Sequence, residues 1–316
     1  MKRGGLLYKF AKRCEEPSKK MPWMILHKMY MLFSIIYGEK VYKKIQKDNN
    51  GSTILYCYSV SMGDYYWFSL VIDEFFKQYK LDSYVFVVPN SLTGLCEYLQ
   101  FKKIYSVGFM EFCTMNLFFK FCRGGTNSID FSPWFVFAQA KEYKVVPKIS
   151  VKNDGPMDIQ RFYNLGLEEK NTVLLAPYEK SLSHNGFPLL PQKFWELLAE
   201  KFSEMGYKVC TNCANNKSEP PVKDTIPVLP PYGEIFRFCE TCGYVVTIRS
   251  GFADMCAFSD CKKIVLYPNQ KVFSLWSINE YFGKVQGVYE LIYYDYLEKL
   301  DSLVDCIVKD IINDRR

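Results

Sequence analysis

Apolar positions along this chain alternate between short β-branched runs and longer stretches with helical spacing. In the first half, the short runs predict strands at 53–59, 84–88 and 103–107. In the second half, they predict strands at 172–176, 207–210, 226–229, 244–248 and 263–267. Strands that alternate with helices are typical of parallel sheets with crossover helices. The pattern therefore predicts an α/β fold with two Rossmann-like domains facing a cleft.

Chain length and linker composition give the expected domain organisation. A length of 316 residues favours two domains, each large enough to bury its own core. We expect a basic amphipathic helical segment at 1–50, Rossmann-like domains at 51–165 and 166–290, and a C-terminal helix at 291–316.

The net charge of +6 is concentrated in one segment. Residues 1–47 contain twelve Lys and Arg against three Glu, so the remainder is slightly acidic and we expect no nucleic-acid partner. The apolar stretch at 21–37 contains His27 and Lys28, which makes it a poor membrane span. Two interpretations remain open for residues 1–47: peripheral contact with an anionic membrane, or packing on the chain's own domain with a solvated basic face.

Twelve cysteines and no predicted signal peptide indicate a reducing compartment with free thiols. Two C-x-x-C pairs, Cys210 with Cys213 and Cys239 with Cys242, have spacing that can form a tetrahedral zinc site. Because the first pair follows a predicted strand and the second lies in a helical stretch, we favour buried structural thiols and expect no metal.

The sequence Ser61-Met62-Gly63-Asp64 lies in the turn between a predicted strand and a predicted helix at 65–79. In open α/β sheets, ligands bind at this carboxyl edge. Gly63 allows close approach of the backbone to a ligand, Ser61 lies in the same turn, and Asp64 is a candidate general base. The alternative is that Asp64 is only the N-cap of the helix.

The second candidate site is Arg249-Ser250-Gly251, between a predicted strand and helix. Main-chain N–H groups at such a turn bind diphosphate, and Arg249 is suited to bidentate phosphate contacts. The alternative is a plain turn with a surface arginine. Further candidate ligand contacts are Lys180, Ser181, Glu234 and Asp254.

Several chemistries lack their sequence signals. The chain has two histidines and no nucleophile elbow, which argues against a Ser-His-Asp triad. It contains neither an Asp-x-Asp sequence nor a Walker A sequence.

Three segments resemble GT-B-fold glycosyltransferases of the bacterial heptosyltransferase type (glycosyltransferase family 9). They are SMGD at 61–64, LPQKFWELL at 190–198 with GYKV at 206–209, and VVTIRSG at 245–251 with IVLYP at 264–268.

The resemblance implies a nucleotide-sugar domain at 166–290 and an acceptor domain at 51–165. It implies an inverting, metal-independent transfer from a nucleotide-diphosphate sugar to a saccharide or lipid-linked saccharide in bacterial surface polysaccharide synthesis. Asp64 would take the acceptor proton, and the turn at 249–251 would hold the diphosphate. No cofactor is implied beyond the donor, and we expect a cytoplasmic protein, peripheral on the inner face of the plasma membrane.

The sequence departs from that family at two positions. Its members usually have an acidic residue near the position of Arg249 and a histidine near that of Asp254, so the charges are inverted here. We therefore expect a different nucleotide sugar or phosphate geometry. Two rival hypotheses are a catalytically silent nucleotide- or saccharide-binding module and an adaptor held together by zinc at the C-x-x-C pairs.

Overall fold

A computed structural model describes residues 17–58, 61–122, 126–131, 157–179 and 186–312. The chain divides into two compact units, residues 1–145 and 146–316. The first contains a four-stranded parallel sheet and the second a six-stranded parallel sheet. The predicted α/β class with two Rossmann-like sheets is confirmed at this level.

The N-terminal unit alternates helices and strands. Its helices are α1 (Pro17–Asp48), α2 (Met62–Tyr79), α3 (Thr93–Tyr98) and α4 (Phe109–Phe121). Its strands are β1 (Thr53–Tyr56), β2 (Tyr84–Pro89), β3 (Ile104–Val107) and β4 (Ser128–Asp130). All pair in parallel in the order β3-β2-β1-β4. The pattern of apolar residues predicted the first three strands with helices between them, whereas the three-residue β4 was missed.

Helix α1 is part of the N-terminal unit and packs closely on α4. Gly38 lies so near α4 that a Cβ atom there would be 2.1 Å from the carbonyl oxygen of Thr114. The Tyr42 ring lies 5.6 Å from that of Phe118. Val41 is buried in the same core cluster. The predicted helical segment therefore folds as one long helix with one face against its own unit.

The C-terminal unit has seven helices in the described residues. They are α5 (Ile159–Asn164), α6 (Gln192–Glu204), α7 (Ile235–Cys242), α8 (Gly251–Cys256), α9 (Gln270–Trp276), α10 (Ile278–Phe282) and α11 (Leu300–Ile312). The strands are β5 (Thr172–Ala176), β6 (Lys208–Asn212), β7 (Ile226–Val228), β8 (Gly243–Ile248), β9 (Lys262–Tyr267) and β10 (Val288–Ile292). The expected C-terminal helix is shorter than predicted, and β10 was not predicted.

The order of the second sheet is β10-β9-β8-β5-β6-β7, with all pairs parallel. Counted from β5, this is the 3-2-1-4-5-6 order of dinucleotide-binding Rossmann folds. Strands β5 and β9 are buried along their whole length because helices cover both faces. Phe194 and Trp195 of α6 and Ile307 of α11 complete this core.

No helix in the described part of the chain is both long enough and apolar enough to cross a membrane.

Candidate functional site

The C-terminal sheet reverses its strand order between β5 and β8, and the carboxyl ends of these strands mark the expected ligand crevice. Arg249, Ser250 and Gly251 follow β8 directly, as predicted. On the β5 side, Tyr178 donates a hydrogen bond from its hydroxyl to the carbonyl oxygen of Pro220. The candidate residues at 180 and 181 in the same loop, Lys180 and Ser181, lie outside the described residues.

Arg249 is engaged within the protein. Its Nη2 lies 2.8 Å from Oδ1 of Asp254, and the two side chains are 8% and 4% exposed. Its Nε donates to the carbonyl oxygen of Trp276 at 2.7 Å, and its Nη1 donates to that of Ser250 at 2.9 Å. The inverted charges at positions 249 and 254 therefore form a buried ion pair. This guanidinium fixes the shape of the turn rather than pointing into solvent.

Ser250 and Gly251 determine the backbone geometry at the start of α8. Ser250 is the N-cap of α8, and its hydroxyl oxygen accepts a hydrogen bond from the N–H of Ala253 at 3.4 Å. Gly251 is the first residue of α8. The ion pair of Arg249 with Asp254 and the cap by Ser250 thus stabilise this strand-to-helix turn.

A hydrogen-bond network that the sequence did not predict lies beside this turn. Glu290 Oε1 accepts from the Tyr267 hydroxyl at 2.5 Å and from the Ile278 N–H at 2.8 Å, and its Oε2 accepts from the Ser277 hydroxyl at 2.9 Å. The Tyr267 hydroxyl is also 3.2 Å from the Trp276 carbonyl oxygen that Arg249 contacts. The two networks therefore meet at one carbonyl. Glu290 lies on the unpredicted strand β10, so the pattern gave no signal for it.

Glu234 is near the same edge of the sheet but away from the strand-order reversal. It ends a short 3-10 helix at Tyr232–Glu234, after the outermost strand β7. One carboxylate oxygen lies 3.8 Å from Nη1 of Arg161 on α5. Arg161 also donates to the carbonyl oxygen of Leu229 at 3.4 Å. Glu234 thus contributes to docking α5, and the structure does not bring it to the turn at 249–251.

In the N-terminal unit, the strand order reverses between β1 and β4. Ser61, with extended backbone, is the N-cap of α2, although its side chain makes no capping hydrogen bond. Gly63 is buried and Asp64 is half-buried in the first turn of the helix. The N-cap role is therefore filled by Ser61 rather than by Asp64. A first-turn carboxylate is also favoured by the helix dipole.

Asp130 is a second carboxylate at this edge, and the sequence did not predict it. It ends β4 beside β1, and its Oδ1 accepts from the N–H of Tyr58 at 3.2 Å. Strand β4 has three residues, which is too short for a periodicity signal. Asp64 thus follows β1 and Asp130 ends β4, the two strands that flank the order reversal of the N-terminal sheet.

The Tyr65 hydroxyl is buried next to this edge and has no hydrogen-bond partner. Its ring lies 5.3 Å from that of Phe131. Burial, followed by the nearby Cys57 and Cys96 thiols and then by the Asp64 and Asp130 carboxylates, raises the pKa of this phenol well above its usual value. The Tyr65 hydroxyl therefore stays protonated at neutral pH and above.

The C-x-x-C cysteines lie where predicted, in or next to β6 and within α7, and the described cysteines are free thiols. The Cys239 thiol hydrogen-bonds with that of Cys256, and the Cys242 thiol with that of Cys210. Burial is the main cause that raises the pKa of Cys239 and Cys242 well above the usual value, whereas zinc binds thiolates. In the described residues, no group of three or more His, Cys, Asp or Glu is arranged to hold a metal.

A cavity of about 610 Å³ opens at the opposite, amino edge of the C-terminal sheet. Its lining includes Lys170 and Lys262. Lys170 donates to the carbonyl oxygen of Asp260 at 3.0 Å, and Lys262 donates to that of Asp310. Because both ammonium groups are engaged by main-chain carbonyls, we interpret them as structural, and the cavity lies away from the carboxyl-edge residues predicted as a site.

Comparison of the chain with known protein families, curated proteins and solved structures found no match.

Proposed function

We propose that this chain is a glycosyltransferase in which the two units are the acceptor and donor halves of a GT-B-like enzyme. It moves a sugar from a nucleotide-diphosphate donor to a saccharide or lipid-linked saccharide acceptor in bacterial surface polysaccharide synthesis. The observation that carries the proposal is the strand order of the C-terminal sheet, with residues 249–251 directly after β8, one of the two strands at the reversal.

In this proposal the donor diphosphate binds at the turn of residues 249–251. Gly251 lets phosphate oxygens approach the backbone closely. The pair of Arg249 with Asp254 holds the turn, so Arg249 contributes by positioning the main-chain N–H groups rather than through a direct bidentate contact with the diphosphate. A preorganised turn of this kind needs no rearrangement as charge develops on the leaving group.

Asp64 is the proposed general base of the N-terminal unit. An inverting transfer requires a carboxylate that takes the proton from the acceptor hydroxyl as that hydroxyl attacks the anomeric carbon. The position of Asp64 after β1, at the edge where the strand order reverses, supports this role. Asp130, the last residue of the neighbouring strand β4, is available to orient the acceptor.

The variant Asp64→Asn tests the assignment of the base. We expect transfer to fall by about 100-fold or more, the usual contribution of general base catalysis, while the affinity for donor stays within about twofold. Turnover is measured by release of the nucleoside diphosphate, and donor binding by calorimetry. Asp73→Asn, at an exposed position of the same helix, is the matched control. Near-normal turnover of Asp64→Asn would exclude Asp64 as the base.

A catalytically silent binding module is the second candidate, and the engagement of Arg249 by Asp254 favours it. In that case, the buried pair stabilises the turn and nothing more. Slow hydrolysis of the donor without acceptor separates the two hypotheses, because a silent module binds the donor without cleaving it.

A further inference from the structure

The outward face of α1 carries an unusual concentration of exposed apolar side chains. Between residues 24 and 37, eight large apolar residues are each 42–64% exposed. They are Met24, Ile25, Leu26, Met29, Leu32, Phe33, Ile36 and Tyr37. Isolated exposed apolar residues are normal, but a contiguous patch on one helix marks an interaction surface.

The opposite face of the same helix is already packed. Ser34, Gly38, Val41 and Ile45 are buried, and their spacing of three to four residues places them on one side. The close contact of Gly38 with Thr114 fixes that side against α4. The exposed apolar residues are therefore not a core face that has been left open; they lie on the side that points away from the unit.

The exposed face changes from apolar to basic along the helix. One stripe of the helix surface is formed by residues spaced three or four apart: 25, 29, 32, 36, 40, 43 and 47. The last three are Lys40, Lys43 and Lys47, and all three are exposed. The stripe is thus apolar over its first four positions and cationic over its last three.

Two exposed apolar residues, Phe109 and Met110, also lie at the start of α4. Gly38 lies against Thr114 and the Tyr42 ring is near that of Phe118, so α1 and α4 run in the same direction. The same shift in numbering between the two helices places residue 34 of α1 level with residue 110 of α4. Phe109 and Met110, which are 55% and 52% exposed, therefore lie at the same level along the helix axes as the apolar part of α1.

We propose that the stripe of α1, apolar at its start and cationic at its end, docks on an anionic lipid bilayer. The helix lies in the plane of the interface, with its apolar side chains among the acyl chains and its lysines against anionic headgroups. Residues 1–47, with twelve basic residues against three acidic ones, provide the matching charge. The proposal goes beyond sugar transfer and is tested without any sugar substrate.

Charge also argues against a second copy of the chain as the occupant. A parallel pairing of two such stripes would place the lysines of one copy against those of the other. An antiparallel pairing would place them against the partner's apolar positions. An anionic membrane accommodates both parts of the stripe at once because its interior is apolar and its surface is negative.

Co-sedimentation with vesicles tests the proposal, using the whole protein and vesicles of phosphatidylcholine and phosphatidylglycerol at 3:1. We expect binding that weakens in pure phosphatidylcholine and at high salt. Leu32→Gln with Phe33→Gln should weaken binding by at least about tenfold because two half-exposed apolar side chains are lost. Lys40→Gln with Lys47→Gln should weaken binding by roughly tenfold to thirtyfold, and only to the anionic vesicles.

The matched control is Leu189→Gln with Leu229→Gln, which removes two side chains that are 41% and 61% exposed in the C-terminal unit. It should bind vesicles like the unchanged protein, and thermal unfolding should show that all variants fold. Absence of binding to anionic vesicles, or equal binding by the control and the Leu32–Phe33 variant, overturns the proposal. A dimer in sedimentation that the Leu32–Phe33 variant dissociates, without vesicle binding, would assign the surface to self-association instead.

Discussion

The buried pair of Arg249 and Asp254 makes a quantitative prediction for the candidate donor turn. Asp254→Asn keeps an oxygen near Nη2 of Arg249 but removes the negative charge. The guanidinium then retains the carbonyl oxygens of Trp276 and Ser250 as acceptors, at 2.7 and 2.9 Å, without a counter-charge. A buried charge without its partner is unfavourable because it has lost its hydration.

The size of the effect follows from the distance and the burial. The charged atoms are 2.8 Å apart, and the two side chains are 8% and 4% exposed, so bulk water screens the pair little. Breaking a buried pair at one partner costs about 3–5 kcal/mol. Because Asn keeps the shape and Arg249 keeps two carbonyl acceptors, we expect the lower end, about 3 kcal/mol of the free energy of unfolding.

Urea denaturation measures this cost. Arg249→Met combined with Asp254→Leu should return to within about 1 kcal/mol of the unchanged protein, since apolar residues can replace a buried pair. The control is Glu204→Gln, which breaks the exposed pair of Lys201 and Glu204 and should cost less than about 0.5 kcal/mol. If Asp254→Asn costs no more than the control, or if the two substitutions of the double variant are additive, the reasoning is refuted.

Two further predictions concern the N-terminal unit. Gly38→Ala should destabilise it by about 1–3 kcal/mol because the new Cβ would meet the Thr114 carbonyl oxygen at 2.1 Å. The control Gly94→Ala, which has open space around its new Cβ, should be neutral or stabilising. Equal effects of the two variants in urea denaturation would contradict the packing of α1 on α4. Burial, and to a lesser degree Glu97, raises the pKa of the Cys96 thiol from 9.0 to about 12. The unfolded chain therefore ionises first, and this contribution to stability is complete below pH 9 and is lost as the pH rises toward 12. Cys96→Ala should consequently lose about 1.4 kcal/mol less stability than the unchanged protein between pH 7 and pH 10, and identical losses would disprove the shift.

Much of the fold follows from local apolar periodicity. Strand β5 was predicted with both ends correct, and helix α2 was predicted with its last residue correct, because each is a strong pattern on its own. The elements that were missed are short or half-exposed: β4 has three residues, and β10 has only its first residue buried. Their place in the sheet depends on pairing with β1 and β9, a long-range interaction that a local pattern does not contain.

The sequence predicted where the two candidate turns lie in the chain, but it did not predict which side chains contact each other there. The turns at 61–64 and 249–251 were located because each follows an apolar run and contains a glycine. That Arg249 is paired with Asp254 depends on where α8 turns back over β8, and that Glu290 reaches Tyr267 depends on β10. Arg249 was therefore predicted as a phosphate ligand, whereas its guanidinium binds Asp254 and two main-chain carbonyl oxygens within the protein.

The central claim, a nucleotide-diphosphate sugar site in the C-terminal unit, is tested most directly by thermal unfolding against a panel of nucleoside diphosphates and nucleotide sugars without added metal. A ligand at a hundredfold excess over its dissociation constant stabilises the folded protein by about 2.7 kcal/mol. We predict a clear rise in melting temperature with one nucleotide class, and loss of that rise in the Asp254→Asn variant. An unchanged melting temperature across the panel, repeated with Mg²⁺ and Mn²⁺, would contradict the proposed function.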